Sequence, residues 1–543
     1  MANIKSADNG DIHVADVTIA QLSRGLYRST ATAFKELVSN AYDADATEVR
    51  IDTNFPKFDF ISCVDDGQGM SLEAFLKYFA EKGIGSCFKR MSQRDRSEIF
   101  NRPIIGRLGI GMLAIGQLSH SFEIESHYKD KKSGKGEAYH AEIILLDDTI
   151  REREEAIKSG ENEIDVGKWQ YDQIDYDEAK QGFRIYTSDV RRTFTDEMEA
   201  GVPDKDLDKM SFKLDELHAE FYDTSKKSIR ERGPYLETIW ELAILCPIPY
   251  YGTEDNFPVD VRKFSKKEKN TPQFKQAISI INERQRSLLK EQFKVIFDGI
   301  ELRRHVQLPM VQEVLPKLYP IEFDNVVMEN RLKFSGYAFA QIAQHIRPAE
   351  LNGIQIRLRN VGIAGYDSTF LKYYKQIETI RSRWVSGEIF VDEGLESALN
   401  IDRDSFNEHD EHFKALQNFL HSRLDKIFDE AVKLAKKISE SNRDAKIKTL
   451  HNKMREAISI RSNHKFELQR RAMGENSPSV KVDTSKGEII LNTDFRFAKK
   501  KKANKIIQAI EIAYHAALAT GGSEEYKHKF FLDLVKDILE AIL

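Results

Sequence analysis

The sequence contains, at residues 36–45, the run Glu36-Leu-Val-Ser-Asn40-Ala-Tyr-Asp43-Ala-Asp45, within a stretch whose apolar residues recur every three or four positions. That spacing predicts a helix from about Thr18 to Ala46 with Glu36, Asn40 and Asp43 on one face. A carboxylate on such a face can deprotonate a water molecule, and an amide oxygen one turn away can bind Mg²⁺. A solvated polar face on an amphipathic helix would give the same spacing.

A second motif, Asp65-Asp-Gly67-Gln-Gly69-Met70, follows a strand predicted at Phe58–Val64. An aspartate at the end of a strand can accept a hydrogen bond from an adenine amino group. The glycines would let the backbone pass close to the base. Taken alone, the motif is explained equally well as an ordinary turn, in which aspartate and glycine are common.

The third motif is rich in glycine and opens a predicted helix: Gly106-Arg-Leu108-Gly109-Ile110-Gly111. Backbone N–H groups at the start of a helix bind phosphate well. The motif lacks the leading strand of a dinucleotide fingerprint and the Gly-Lys-Ser/Thr of a P-loop. The polar segment Lys82–Arg107 predicts a long mobile loop, and loops of that length are usually either functional or disordered.

In this order and spacing, the three motifs resemble the GHKL superfamily of gyrases, heat-shock chaperones, histidine kinases and MutL over about residues 15–190. The resemblance implies an α+β fold that begins with a Bergerat-type α/β sandwich. It also implies that the chain is an ATPase with ATP and Mg²⁺ as ligands. Glu36 would be the general base and Asn40 the Mg²⁺ ligand.

The same resemblance assigns the remaining nucleotide site. Asp65 would bind adenine, and Asp43 would support the base through a water molecule. Residues Lys82–Arg107 would form the ATP lid. This sequence departs from the family at Phe183, which follows Gly182 where the family often has threonine. The other residues implied to bind the nucleotide are Gly67, Gly69, Met70, Lys82, Gly85, Ser86, Gly106, Leu108, Gly109, Ile110 and Gly111.

A later string, which ends in Leu-Asn-Ile-Asp-Arg403-Asp-Ser, resembles the middle domain of the ninety-kilodalton heat-shock chaperones over about residues 290–435. The resemblance makes Arg403 a catalytic arginine that stabilises the γ-phosphate when the domains dock. The alternative is a surface arginine paired with Asp402 or Asp404. Lys333 or Arg347 would take the role under a shifted alignment.

These patterns divide the chain into four parts. Residues 1–255 are the ATP-binding domain, 256–292 a linker and helix, and 293–440 an α/β middle domain that opens with a strand at Phe293–Ile296. Residues 441–543 are mostly helical, with a small hairpin at Ser479–Leu491. We expect that last region to serve dimerisation or partner binding.

Composition narrows the range of functions. The net charge of -5 gives no sign of a nucleic-acid-binding protein, and three scattered cysteines exclude a disulfide framework or a zinc site. The sequence shows neither a signal-peptide pattern nor an apolar run of the roughly 18 residues that span a bilayer. We therefore expect a cytoplasmic protein that does not associate with a membrane.

The leading hypothesis is a chaperone-like or MORC-like machine in which ATP closes the lid and joins two N-terminal domains. Residues 1–20 would be free to cross to the partner in a homodimer. A client or an operon-encoded protein is a further expected partner, and family analogy suggests anti-phage defence or stress response. One alternative is a DNA-directed MutL-like or topoisomerase-like ATPase, although the charge gives no indication of nucleic acid. The other is a module that binds ATP without turnover.

Overall fold

The computed structural model describes most of the chain and places it in two compact units, residues 1–431 and 432–543. The described residues are 7–14, 29–79, 96–105, 111–130, 133–145, 164–200, 221, 228–252, 261, 264–304, 316–342, 345–373, 382–400, 404–462, 467–483, 485–486, 488–495, 510–511, 513–514, 517–518 and 523–542.

The first sheet contains nine described strands: β1 (Ala7–Val14), β2 (Glu48–Asp52), β3 (Ile61–Asp65), β4 (Ser121–Lys129), β5 (Gly136–Leu145), β6 (Ile164–Ile174), β7 (Gly182–Thr187), β8 (Lys294–Phe297) and β9 (Ile300–Glu301). Their order is β1-β6-β5-β4-β7-β3-β2-β8-β9. Strands β2 and β8 run parallel, whereas the other neighbours are antiparallel.

Helix α1 (Thr30–Asp43) lies on one face of this sheet. The hydroxyl of Ser29 caps it by accepting a hydrogen bond from the Thr32 amide at 3.3 Å. The apolar residues of the helix share one buried core with the inward residues of the sheet. The rings of Phe34 and Phe297, for example, meet edge to face at 5.4 Å. The same layer holds α2 (Leu72–Phe79), a 3₁₀ helix at Gly111–Gln117, α3 (Arg192–Glu199) and α4 (Pro234–Leu245), which packs against α1.

The second sheet has five described strands: β10 (Pro316–Val327), β11 (Asn330–Gln341), β12 (Gly353–Leu358), β13 (Val361–Asp367) and β14 (Val385–Glu393). They lie in the order β10-β11-β14-β12-β13, with β12 and β14 parallel. Helices α5 (Lys266–Lys269) and α6 (Pro272–Lys290) precede this sheet, and α6 packs on β10 and β11. Together the two sheets and their helices confirm the predicted α+β fold.

Two sequence predictions concern this region. The strand expected to open the second α/β unit at Phe293–Ile296 is β8, which pairs with β2 in the first sheet, so that placement was wrong. The linker and helix expected at 256–292 do include a helix, α6, but its residues Phe274, Ala277 and Ile281 are buried in the core. An amphipathic helix with such an apolar face packs on its neighbours, so this helix belongs to the folded unit and does not act as a spacer.

Buried charges join α4 to the second sheet. Arg357, on β12, donates hydrogen bonds to the carbonyl oxygens of Ile244 at 2.5 Å and Cys246 at 2.9 Å. Its guanidinium also lies 3.5 Å from Glu388 of β14, and neither side chain is exposed. The arginine therefore donates to carbonyl groups at the end of α4, where the helix itself supplies no further amides, and Gln355 of β12 also donates to the Ile244 oxygen at 3.4 Å.

Within residues 1–20, which we expected to be free to cross to a partner subunit, the described residues 7–14 form a paired strand. Strand β1 pairs along its whole length with β6 of the same chain, from Ala7 opposite Asp172 to Val14 opposite Ile164. Its backbone hydrogen bonds are made within the chain, as edge pairing of a sheet requires. Crossing would therefore need this pairing to open first.

The second unit holds the C-terminal part of α7 (Glu411–Ser462), the strands β15 (Glu467–Arg471), β16 (Val480–Asp483) and β17 (Glu488–Asn492), and α8 (Glu524–Ile542). The antiparallel pair β16–β17 confirms the predicted hairpin. Strand β15 adds a parallel neighbour to β17 that the sequence did not indicate. No described helix combines the length and apolar character needed to cross a membrane.

Candidate functional site

Helix α1 carries the polar residues predicted for the site. Glu36 is only 1% exposed, Asp43 is buried, and Asn40 between them is half-buried. An α-helix has 3.6 residues per turn, so side chains four and three positions apart lie on the same face, and these three follow one another along it. Most residues of this helix, including polar ones, are buried. The alternative interpretation, in which these side chains form a solvated polar face, is therefore excluded.

Asp65 ends β3 and lies beside the first residues of β7. Its carboxylate accepts hydrogen bonds from the backbone N–H groups of Gly67, at 2.9 Å, and Phe183. Burial of the carboxyl group raises the pKa of Asp65 to about 7, and the nearby charge of Asp66 adds to this shift. The two backbone hydrogen bonds act against it, because they favour the charged form.

Glycines around Asp65 are required by close contacts within the protein itself. A Cβ atom on Gly67 would lie 2.8 Å from the carbonyl oxygen of Ala44, and one on Gly182 would lie 2.0 Å from that of Asp65. Gly69 has a φ of +72°, and a Cβ there would lie 2.7 Å from the His127 carbonyl oxygen. The sequence interpretation attributed Gly67 and Gly69 to the approach of a base, and the structure gives these two glycines a further reason in the packing of the turn against Ala44 and β4.

Met70, predicted to line the nucleotide pocket, is held by a residue that the sequence did not single out. The Met70 amide donates to the Ser126 hydroxyl at 2.9 Å, and the hydroxyl is within 2.9 Å of the Met70 carbonyl oxygen. Ser126 is buried on β4. A lone serine inside a strand carries no sequence signal that would have marked it.

The segment 96–105, the described part of the predicted lid, is tied to the end of α1. The Asp45 carboxylate accepts hydrogen bonds from the amides of Ile99 at 2.7 Å and Phe100 at 3.0 Å. Burial alone would raise the pKa of Asp45, but hydrogen bonds from Ser97 and from these two amides outweigh it and lower the pKa. Asp45 is therefore ionised at neutral pH and acts as the anchor of this segment.

Asp43 has a contact in addition to its predicted role. The resemblance assigned it to support Glu36 through water, which stays a prediction, and its Oδ1 atom accepts a hydrogen bond from the Ile105 amide at 2.7 Å. Ile105 directly precedes the glycine-rich motif, and Gly111 at the end of that motif begins the 3₁₀ helix Gly111–Gln117. Asp43 therefore fixes the point at which the chain enters the predicted phosphate loop.

Several predicted site residues lie outside the described residues. They are Lys82, Gly85, Ser86, Gly106, Leu108, Gly109, Ile110 and the proposed catalytic arginine, Arg403. The two alternatives to Arg403 are placed: Lys333 lies within β11, and Arg347 directly precedes Pro348 at the start of a short 3₁₀ turn.

Asp404, the neighbour of Arg403, reaches α1. Its Oδ1 atom lies 2.8 Å from the Nζ atom of Lys35, and the same Nζ atom lies 3.8 Å from Oε1 of Glu36. All three side chains are buried. The structure thus brings Asp404 to the helix that carries Glu36. The sequence interpretation did not single out Lys35, and it considered Asp404 only as a surface partner of Arg403.

The donor set fits a magnesium nucleotide. Mg²⁺ at nucleotide sites keeps several waters and phosphate oxygens and takes few protein ligands. Asn40 offers one amide oxygen a turn away from Glu36, which is compatible with that coordination. Among the described residues, no three His, Cys, Asp or Glu side chains cluster as a metal site of their own.

The sequence of this region matches a known family. Residues 27–165 match the model described as "Histidine kinase-, DNA gyrase B-, and HSP90-like ATPase". These residues form a GHKL-type ATPase domain. The match covers α1, Asp65 and the glycine-rich motif, and it ends within the first sheet.

Two individual proteins resemble the chain. One is described as "Putative type II restriction enzyme HgiDII" from Herpetosiphon aurantiacus and is 37% identical over 113 residues, which are 20% of this chain and 16% of that protein. The other is a solved structure described as "Crystal Structure of N terminal domain of a DNA repair protein", with a TM-score of 0.34 and 11% identity over 76% of this chain and 98% of that one. The GHKL-type ATPase domain is thus identified by its family match.

Proposed function

We propose that the GHKL-type ATPase domain binds ATP with Mg²⁺ and hydrolyses it to ADP and phosphate, and that hydrolysis drives movement between this domain and the second sheet. The observation that carries the proposal is the buried face of α1, where Glu36 and Asn40 lie one turn apart. The partly enclosed carboxyl group of Asp65 supplies the second half of the site, at a strand end suited to adenine.

Each residue has a defined task in this reaction. Glu36 orients and deprotonates the attacking water, a step that typically contributes about 10²–10⁴-fold to the rate. Asn40 holds Mg²⁺, which when bound neutralises charge on the phosphate oxygens. Asp65 accepts a hydrogen bond from the adenine amino group. The backbone of Gly106, Gly109 and Gly111 binds phosphates, and Lys82, Gly85 and Ser86 belong to the lid.

The Lys35–Asp404 ion pair supports coupling between the site and the rest of the first unit. The pair holds Asp404 against α1, and Asp404 directly follows Arg403 in the sequence. An arginine that reaches the γ-phosphate only in one domain arrangement makes hydrolysis depend on that arrangement. This is the behaviour of a chaperone-like or MORC-like conformational machine, and we extend the proposal to a homodimer joined through its N-terminal domains.

A DNA-directed ATPase, MutL-like or topoisomerase-like, is the second candidate. It is favoured by the relative described as a putative restriction enzyme, although this chain spans only a small part of that protein's length. The net charge of -5 does not favour extended contact with phosphates. The two candidates share the ATP site and differ in the partner that would change the rate of hydrolysis.

Phosphate release by the full chain, measured with and without Mg²⁺ and with duplex DNA added, tests both candidates. The proposal expects Mg²⁺-dependent release that DNA leaves unchanged. A rate that rises with DNA and loses this response as salt is added would favour the DNA-directed candidate. No release under any of these conditions, together with no ATP binding, would contradict the proposed function.

A further inference from the structure

We propose that Arg359, on the second sheet, is a positioning residue for the phosphate loop of the ATPase domain. The inference rests on the proposed function, and it adds a residue that no motif indicated. Arg359 lies in the turn between β12 and β13, far along the chain from α1. Its guanidinium contacts the Ile104–Ile105 peptide bond, one residue before the glycine-rich motif begins at Gly106.

That peptide bond is held at both of its polar ends. The N–H of Ile105 donates to Asp43 at 2.7 Å, and the carbonyl oxygen of Ile104 accepts a hydrogen bond from Nη1 of Arg359. Both groups belong to the single planar amide between Ile104 and Ile105. A carboxylate on one end and a guanidinium on the other fix the orientation of this plane and polarise it in the same sense.

The Arg359 side chain is itself held in place. Its Nη2 atom lies 2.9 Å from Oε1 of Glu396, and Glu396 also accepts a hydrogen bond from the Gly394 amide at 3.0 Å. Burial alone would raise the pKa of Glu396, but hydrogen bonds from backbone amides and the charge of Arg359 outweigh it and lower the pKa. Glu396 is therefore charged at neutral pH, and it aims the guanidinium at Ile104.

The backbone at Arg359 is not one that arginine favours. Arg359 has a φ of 52° and Asn360 a φ of 70°, which together make a two-residue hairpin turn of left-handed residues. Asparagine and glycine suit such turns, whereas an arginine is strained in them. The residue is thus accounted for by the contacts of its side chain and not by the needs of the turn.

A cavity borders the contact. It has a volume of about 740 Å³, lies between the lid segment and the second sheet, and is lined by Arg96, Pro103, Arg359, Glu396 and Arg331, among others. Arg331 is therefore an arginine of the same cavity against which Arg359 can be compared.

Arg359→Ala, Arg359→Lys and Arg331→Ala of the full chain test the proposal. Arg331 lines the same cavity but pairs with Asp324 at 2.7 Å. Arg331→Ala therefore removes one arginine from the cavity without removing the contact with Ile104, and it serves as the matched control. We expect Arg359→Ala to raise the KM for ATP on the order of tenfold, the effect of one hydrogen bond to a charged group, with a smaller change in kcat. Arg359→Lys should recover most of this loss, and Arg331→Ala should match the wild type.

Amide hydrogen exchange without nucleotide provides the second readout. The Ile105 amide should exchange faster in Arg359→Ala than in the wild type. In Arg331→Ala its exchange rate should equal that of the wild type. If the wild type hydrolyses ATP but both alanine variants have the same KM and the same Ile105 exchange, Arg359 has no positioning role and the proposed function stands. If the wild type neither binds nor hydrolyses ATP, the proposed function fails and this role fails with it.

Discussion

The ammonium group of Lys35 lies 2.8 Å from the carboxylate of Asp404, although the two residues are 369 positions apart in the chain. Both side chains are buried, and Glu36 is 3.8 Å from the same ammonium group. Lys35, which precedes the proposed general base, thus pairs with the residue that follows Arg403 in the sequence. Because a buried charge without its partner is costly, this ion pair makes the position of Asp404 sensitive to changes in α1.

Loss of one charge of this pair should destabilise the first unit strongly. Lys35→Met leaves the buried carboxylate of Asp404 without the positive charge of the lysine. Because an uncompensated buried charge is costly, we expect the free energy of unfolding to fall by about 3–5 kcal/mol. Asp404→Asn should cost a similar amount, because Lys35 then lacks its nearest carboxylate. Unfolding in urea, followed by tryptophan fluorescence, measures both changes.

The double variant Lys35→Met with Asp404→Asn provides the control. It removes both charges together, so its loss of stability should be clearly smaller than the sum of the two single losses. Additive losses would mean that the two residues act independently and that the ion pair does not join α1 to the segment after β14.

Asp65 should control ATP binding through its two carboxylate oxygens. In Asp65→Asn only one oxygen remains, and the Gly67 and Phe183 amides compete for it with the adenine amino group. We expect ATP affinity to fall at least about tenfold, the typical effect of one lost charge-assisted hydrogen bond. Isothermal titration calorimetry measures this loss, and the neighbouring variant Asp66→Asn serves as the matched control. Equal affinity of Asp65→Asn and the wild type would remove Asp65 from the adenine site.

The pKa of Asp65 also predicts how stability depends on pH. Its folded-state pKa is about 7, above the ordinary value of 3.8, so between these values the folded protein binds a proton that the unfolded chain has released. This contribution is fully present below about pH 4 and is lost as the pH rises through about 7. Asp65→Asn cannot ionise, so its stability relative to the wild type should rise across this window. A constant difference from pH 4 to pH 8 would contradict the raised pKa.

The buried cluster around Arg357 should act as the joint between α4 and the second sheet. Arg357→Met removes the donor to the Ile244 and Cys246 carbonyl groups and leaves Glu388 with one guanidinium fewer. We expect a loss of about 3–5 kcal/mol in the free energy of unfolding. Arg331→Met, an exposed arginine of the same sheet, should cost less than about 1 kcal/mol. A similar loss of stability in both variants would contradict the prediction that the buried contacts of Arg357 join α4 to the second sheet.

Local patterns predicted much of the site. The helix that bears Glu36 and Asn40, the strand that ends at Asp65 and the hairpin near Val480 each follow from residue spacing within a short window. Phe183, which the resemblance placed where the family often has threonine, lies opposite Asp65 on the neighbouring strand β7.

Contacts between distant parts of the chain could not be predicted. The parallel pairing of β8 with β2 depends on tertiary packing, and a short apolar run looks the same whichever sheet it joins. Lys35 and Asp404 are ordinary residues in their local sequences, so their pairing carried no signal. The same is true of Arg359, whose surroundings only indicate a turn.

The central claim, that Glu36 is the base of an ATP hydrolysis site, is tested most directly by ATP turnover and ATP binding in the wild type and in Glu36→Gln. The substitution keeps the size of the side chain and removes the group that takes a proton. We expect the wild type to hydrolyse ATP with Mg²⁺, and Glu36→Gln to bind ATP with similar affinity but turn it over about 10²–10⁴ times more slowly. Equal turnover by the two proteins would contradict the account, because the proton would then be taken by another group.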